Sequence, residues 1–168
     1  NVNICSVVGF PLGANIFKNK ILETEYLLKN KCNEIDMVIN ISQLMNKNYD
    51  YVQKEIEQIA NLCHSENAIT KVIIETCLLS ESQKIDMCKI VSQSGADYIK
   101  TSTGFSLSGA TKEDIRLFRN YLDKSVKIKA AGGIKDLKST LEFIKLGAKR
   151  IGTSNGKNII DELIKEAE

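Results

Sequence analysis

The sequence predicts an α/β fold, a parallel barrel of the TIM (β/α)8 type with about six β-α units present. Three observations carry that reading. Short runs rich in Val and Ile alternate with longer amphipathic ones along the whole chain, as buried parallel strands and their crossover helices do. The G-x-G-x-x-G turn of an open dinucleotide-binding sheet is missing after the first strand, where Gly9-Phe-Pro-Leu-Gly13 does not fit it. Chemically informative residues gather at strand C-termini, where barrels place their chemistry: Asp36 and Asn40, Glu75, Lys100, Lys129 and Ser154.

Taken in order, the strand candidates are Asn3–Gly9, Glu34–Ile39, Lys71–Glu75, Tyr98–Thr101, Val126–Ala130 and Arg150–Gly152. Helices are expected near Lys18–Lys29, Tyr51–Cys63, Ser80–Ser94, Lys112–Leu122 and Gly156–Ala167. Val52, Ile56, Ile59, Ala60 and Cys63 recur at helical spacing, and Leu137, Leu141, Ile144 and Ala148 mark a further helix before the last. Ser80 and Thr111 precede helical runs as N-caps, and Glu113 and Asp114 load a first turn with acid. Gly95 and Gly147 stand where a left-handed C-cap favours glycine.

The chain's 168 residues suffice for one domain with its own core. A net charge of +2, spread along the chain, gives no sign of a nucleic-acid or membrane partner. No apolar stretch approaches the ~18 residues of a membrane span, and no secretory signal is visible. Five cysteines without a C-x-x-C pair read as reduced thiols in a cytoplasmic protein. The single His64 cannot build a multi-histidine metal site.

Strand alternation sharpens the chemistry. If the apolar faces meet the helices, then Lys71, Lys100, Lys127 and Lys129 point into the barrel with Glu34, Asp36 and Glu75. One buried lysine is as readily a salt-bridged structural residue as a reactive one. Two on neighbouring strands about 4.8 Å apart, with an aspartate on a third, favour chemistry. A neighbouring ammonium and burial both disfavour protonation of Lys100. Lowering a lysine from ~10.4 to near 7 takes about 4–5 kcal/mol of differential interaction. The neutral amine so produced is what attack on a carbonyl requires.

Five segments, Glu34-Ile-Asp-Met-Val-Ile-Asn40, Lys100-Thr-Ser-Thr-Gly104, Lys129-Ala-Ala-Gly-Gly-Ile134, Gly9-Phe-Pro-Leu-Gly-Ala-Asn15 and Val72-Ile-Ile-Glu-Thr-Cys77, occur in an order and spacing that resemble the deoxyribose-phosphate aldolase family. The resemblance runs over essentially the whole chain. It implies that Lys100 forms a Schiff base, that Lys129 tunes it, and that Asp36 moves protons through a water. The implied reaction is reversible cleavage of 2-deoxy-D-ribose 5-phosphate to acetaldehyde and D-glyceraldehyde 3-phosphate, in deoxyribonucleotide catabolism. Because the protonated imine is the electron sink, no metal or organic cofactor is required. The phosphate is expected at Gly132, Gly133, Gly152 and Ser154, where exposed N–H groups and a helix start favour an anion. Asn155, where many family members carry a second serine, is a further candidate contact. Thr103 is the candidate to polarise a substrate hydroxyl.

The resemblance also implies an N-terminally incomplete barrel. Family members carry two further β-α units before the Gly-Phe-Pro-Leu-Gly strand, whereas this chain begins at Asn1 and enters that strand almost at once. Six parallel strands with a gap for two more are therefore expected over residues 1–168, with poor stability and little activity for the isolated chain. A catalytically impaired relative that keeps a phosphosugar pocket is the first alternative; a different Schiff-base aldolase or phosphate-binding barrel enzyme is the second. Partners are expected to be phosphosugar and aldehyde substrates, with a homodimer or homotetramer as candidate assemblies.

Overall fold

The computed structural model describes residues 2–167. Six parallel strands, β1 (Cys5–Val8), β2 (Glu34–Val38), β3 (Ile69–Ile73), β4 (Tyr98–Lys100), β5 (Lys127–Ala131) and β6 (Ala148–Gly152), pair in sequence order into one sheet. Among the described residues β1 and β6 each pair on one side only, so the sheet is an open half-barrel, as expected. Helices cover its convex face: α1 (Phe17–Lys29), α2 (Ile41–Met45), α3 (Tyr49–Ser65), α4 (Glu81–Gln93), α5 (Lys112–Tyr121), α6 (Leu137–Leu146) and α7 (Gly156–Ala167).

Alternation along the strands creates the two sides. Ile35 and Met37 of β2, Val72 of β3, Ile99 of β4, and Ile128 and Ala130 of β5 pack outward. They meet Ile56, Ile59 and Cys63 of α3, Met87, Cys88 and Val91 of α4, and Ile115 and Phe118 of α5. The caps form as expected. Ser80 and Gln83 make a reciprocal capping box at α4, and the Thr111 hydroxyl accepts the Asp114 N–H at α5. Gly147 ends α6 at φ 122°.

Several boundaries differ from expectation. Ala148 is the first residue of β6, opposite Ile128, and does not belong to the preceding helix. Leu141 and Ile144 of that helix are exposed. β3 ends at Ile73, and Glu75 lies beyond it in the left-handed region at φ 52°. α2 and a single 3-10 turn over Thr76–Leu78 were not anticipated, each being too short for periodicity to register.

A buried ion pair outside the barrel also escaped the sequence reading. The Lys20 ammonium of α1 lies 2.9 Å from Glu55 of α3 and donates to the Val38 carbonyl at 2.8 Å. Glu55 in turn accepts the Asn40 N–H at 3.1 Å. This network clamps the C-terminal end of β2, and hence the strand carrying Asp36. Gly9 is required beside it: a Cβ there would stand 2.7 Å from Lys20 Cε.

Candidate active site

Asp36 is the hub. Its Oδ2 receives the ammonium groups of Lys100 at 2.7 Å and Lys129 at 2.6 Å. Its Oδ1 receives Lys71 at 2.9 Å and the Cys5 thiol at 3.3 Å. Strand register explains the convergence. Lys100 and Lys129 are direct neighbours across β4 and β5, and Asp36 is the neighbour of Lys71 across β2 and β3. Asp36 is 2%, Lys100 7% and Lys129 9% exposed, so the cluster is shielded but reachable from one end.

The electrostatics follow from this geometry. Burial opposes the Asp36 charge, but Lys100, Lys129 and Lys71 together hold its carboxyl well below the usual range. Burial pushes the Lys100 amine below its ordinary value, the Asp36 charge opposes that, and Lys129 reinforces it. Burial thus drives Lys100 toward the neutral, nucleophilic form.

The expected interior charge set needs three corrections. Lys127 is exposed, its ammonium 5.6 Å above the Tyr98 ring, because it lies at the entry of β5, away from the cluster. Glu75 forms no ion pair among the described residues; its carboxylate accepts the Thr103 N–H at 3.2 Å and the Thr103 hydroxyl. Arg150 of β6 joins the interior unforeseen, gripping Glu34 at 2.8 and 3.2 Å. A register shift at Ile128/Lys129 sets Arg150 opposite Lys129, and no local pattern announces that bulge.

A cavity of about 420 Å³ opens above the lysines. Lys100 and Lys129 form its floor, Thr103, Gly104 and Phe105 one wall, and Gly132, Gly133, Gly152 and Ser154 the other side. Lys135 and Thr153 also line it, and neither was singled out from the sequence. Gly132 and Gly133 both take positive φ, 87° and 75°, and an added Cβ at Gly133 would meet nothing within 4 Å. Gly152 makes room for the lysine, since a Cβ there would stand 3.3 Å from Lys129 Cε.

Two candidates behave differently from expectation. Asn155 is not among the cavity-lining residues; its side chain donates to the Lys135 carbonyl and its N–H to the Thr153 hydroxyl. It therefore shapes the turn into α7. The Thr103 hydroxyl proton is committed to Glu75, and its oxygen already accepts the Phe105 N–H at 3.1 Å. Thr103 can thus accept from a substrate hydroxyl and cannot readily donate to one. Phe105 closes the rim by meeting Phe10 edge-on, with ring centroids 5.4 Å apart. Among the described residues no group of three or more His, Cys, Asp or Glu side chains is placed to hold a metal ion, and no helix is long and apolar enough to cross a membrane.

Comparison with known proteins places this geometry. The model of a family described as DeoC/LacD family aldolase matches residues 2–162. A deoxyribose-phosphate aldolase of Clostridium tetani is 48% identical over 162 residues, covering 96% of this chain and 74% of that protein. Among solved structures, an aldolase called QR15 superimposes with a TM-score of 0.94 at 39% identity, covering 99% of this chain and 74% of its own. The deoxyribose phosphate aldolase of Aeropyrum pernix, described as a tetramer, gives a TM-score of 0.89 at 28% identity, covering 98% of this chain and 69% of its own.

Proposed function

Since the chain belongs to the DeoC/LacD family of aldolases, we propose that it cleaves and forms 2-deoxy-D-ribose 5-phosphate through a Schiff base on Lys100. The observation that carries the reading is the pairing of Lys100 and Lys129 on a single oxygen of Asp36, beneath a cavity ending in a Gly-Gly turn and the Thr153-Ser154 segment that leads into α7.

The neutral Lys100 amine attacks the C1 aldehyde of the open-chain sugar, and the carbinolamine loses water to give a protonated imine. A base removes the proton of the C3 hydroxyl. The C2–C3 bond then breaks, its electron pair moving into the iminium, and D-glyceraldehyde 3-phosphate leaves. The two-carbon enamine is protonated at C2, and water hydrolyses the imine to release acetaldehyde and regenerate Lys100. Asp36, working through a water, moves these protons, and Lys129 keeps the Lys100 amine neutral between turnovers. The phosphate lies over Gly132, Gly133, Gly152 and Ser154, where backbone N–H groups and the N-terminus of α7 favour an anion, with the Lys135 ammonium beside it. Thr103 accepts a hydrogen bond from a hydroxyl of the sugar.

The same reading sets the protein in deoxyribonucleotide catabolism in the cytoplasm, assembled as a homodimer or homotetramer. The test is to offer the purified protein 2-deoxy-D-ribose 5-phosphate beside ketose phosphates. Release of acetaldehyde from the deoxy sugar alone is the expected result. Cleavage of a ketose phosphate would point to another aldolase reaction, and tight sugar binding without turnover to a non-catalytic pocket.

A further inference from the structure

We propose that Lys71 is a positioning residue for this chemistry: its ammonium occupies one oxygen of Asp36, so that only the other oxygen serves Lys100 and Lys129. The inference rests on the aldolase reading above and assigns a task to a lysine that does not line the cavity.

Lys71 is fully buried and is caught between two carboxylates, 2.7 Å from Glu34 Oε2 and 2.9 Å from Asp36 Oδ1. It sits one rung below the reactive level: Lys71 pairs with Tyr98, and it is Ile73 that pairs with Lys100. Glu34 is itself held by Arg150 at 2.8 Å and by the Asn3 amide at 3.1 Å. The result is a chain of alternating charge, Arg150 to Glu34 to Lys71 to Asp36, that crosses the interior from β6 to β2. Each member fixes the next, and Asp36 is the end of the chain that meets the cavity's lysines.

Two lysines on one carboxylate thus have opposite fates. Burial opposes charge on both. For Lys71 the Asp36 and Glu34 carboxylates outweigh burial, and its pKa rises. For Lys100 burial prevails, and its pKa falls. Lys71 therefore remains a fixed cation while Lys100 changes state. Asp36 of β2, Lys129 of β5 and Cys5 of β1 act on Lys100 directly, and the other titratable or charged groups of the same interior are Glu34 of β2, Lys71 of β3, Tyr98 of β4 and Arg150 of β6, linked to these through Asp36, Cys5 and one another. Removing Lys71 frees Oδ1 of Asp36 to turn toward Lys100 and deletes a cation nearby. Both effects favour protonation of Lys100.

The experiment follows borohydride capture of acetaldehyde on Lys100 as a function of pH, together with kcat and KM for deoxyribose 5-phosphate. It compares the unaltered protein with Lys71→Met, with Lys71→Gln, which keeps a donor without the charge, and with the charge-balanced Lys71→Met/Glu34→Gln. Should Lys71→Met fail to fold, the other two carry the measurement. We expect the midpoint of capture to move up by about one pH unit. We expect kcat to fall at least about tenfold while KM changes less than about threefold. A merely structural lysine would scale capture equally at every pH and leave the midpoint in place. Folded variants with an unchanged midpoint, whatever their kcat, beside normal capture in the unaltered protein, overturn the positioning role alone. No Lys100 adduct in the unaltered protein overturns the aldolase reading and this inference together.

Discussion

At the scale of single residues, the chemistry depends on how one carboxylate is shared. Lys129 contributes charge that pushes Lys100 toward neutrality, so Lys129→Leu should raise the Lys100 pKa. The amine is neutral only above its pKa, so the acid limb of the pH–rate profile should shift to higher pH, by about one unit. A profile measured from acid to alkaline pH that keeps its acid limb would contradict this. Asp36→Asn removes the charge that favours protonation of Lys100, which lowers its pKa further. Imine capture should survive at neutral pH, whereas carbon–carbon cleavage should slow about 100-fold or more for want of a proton shuttle. Inorganic phosphate should bind nearly as before; a large loss would assign Asp36 a structural role. The convergence of Lys100, Lys129 and Asp36 in the interior was legible in the sequence because strand parity is a local rule, and each lies in or at the end of an apolar run. Arg150 and the Lys20–Glu55 pair were not, because their partners are set by a bulge and by helix packing between residues far apart in sequence.

At the scale of elements, the loops that shape the cavity are held by backbone proximity. Gly109, in the segment between β4 and α5, lies against Gly132, and a Cβ on Gly109 would stand 2.1 Å from the Gly132 carbonyl oxygen. The Ala110 N–H also bonds the Ala131 carbonyl at 3.0 Å. Gly109→Ala should therefore displace the Gly132–Gly133 turn and weaken phosphosugar binding at least about tenfold, a loss of about 1.4 kcal/mol. Gly133→Ala meets open space and should cost only left-handed strain, about 1 kcal/mol. Phosphosugar titration of both variants checks the order, and an equal or reversed effect would sink the argument. The clamp on β2 gives a second expectation. Lys20→Met leaves Glu55 buried without its cation and should destabilise by about 3–5 kcal/mol, with Lys20→Met/Glu55→Leu less damaging in thermal unfolding. Strand cores, long helices and caps were readable because Val/Ile runs, 3.6-residue spacing and Ser or Thr before acidic turns are local signals. α2, the 3-10 turn and the left-handed Glu75 were not, since each is too short for a repeating pattern to register, and Glu75 is held by Thr103 from another loop.

At the largest scale, the interior charge network ties stability to pH. Glu34 is held down at about 2: burial opposes its charge, and Arg150, Lys71 and Asn3 outweigh it. Asp36 is depressed as well. A carboxylate depressed on folding stabilises the folded state above its ordinary value, 4.5 for Glu34. That stabilisation is lost as pH falls through the folded value. The urea midpoint should therefore drop between about pH 5 and about pH 2, and Glu34→Gln should flatten that slope; an unchanged slope would remove the network from the account. A polypeptide limited to residues 2–167 presents β1 and β6 as free edges, and concentration-dependent self-association is expected of it in light scattering. The barrel type and the opening were both legible, the first from charged residues at strand ends and the second from the count of six β-α units; the half-barrel's cross-links through Arg150 were not. If Lys100 is the residue that bonds to substrate, acetaldehyde with borohydride, followed by peptide mass mapping, will mark it. A two-carbon adduct on the Lys100 peptide is the expected result; an adduct on Lys129 instead, or none on either lysine, would overturn the assignment of Lys100.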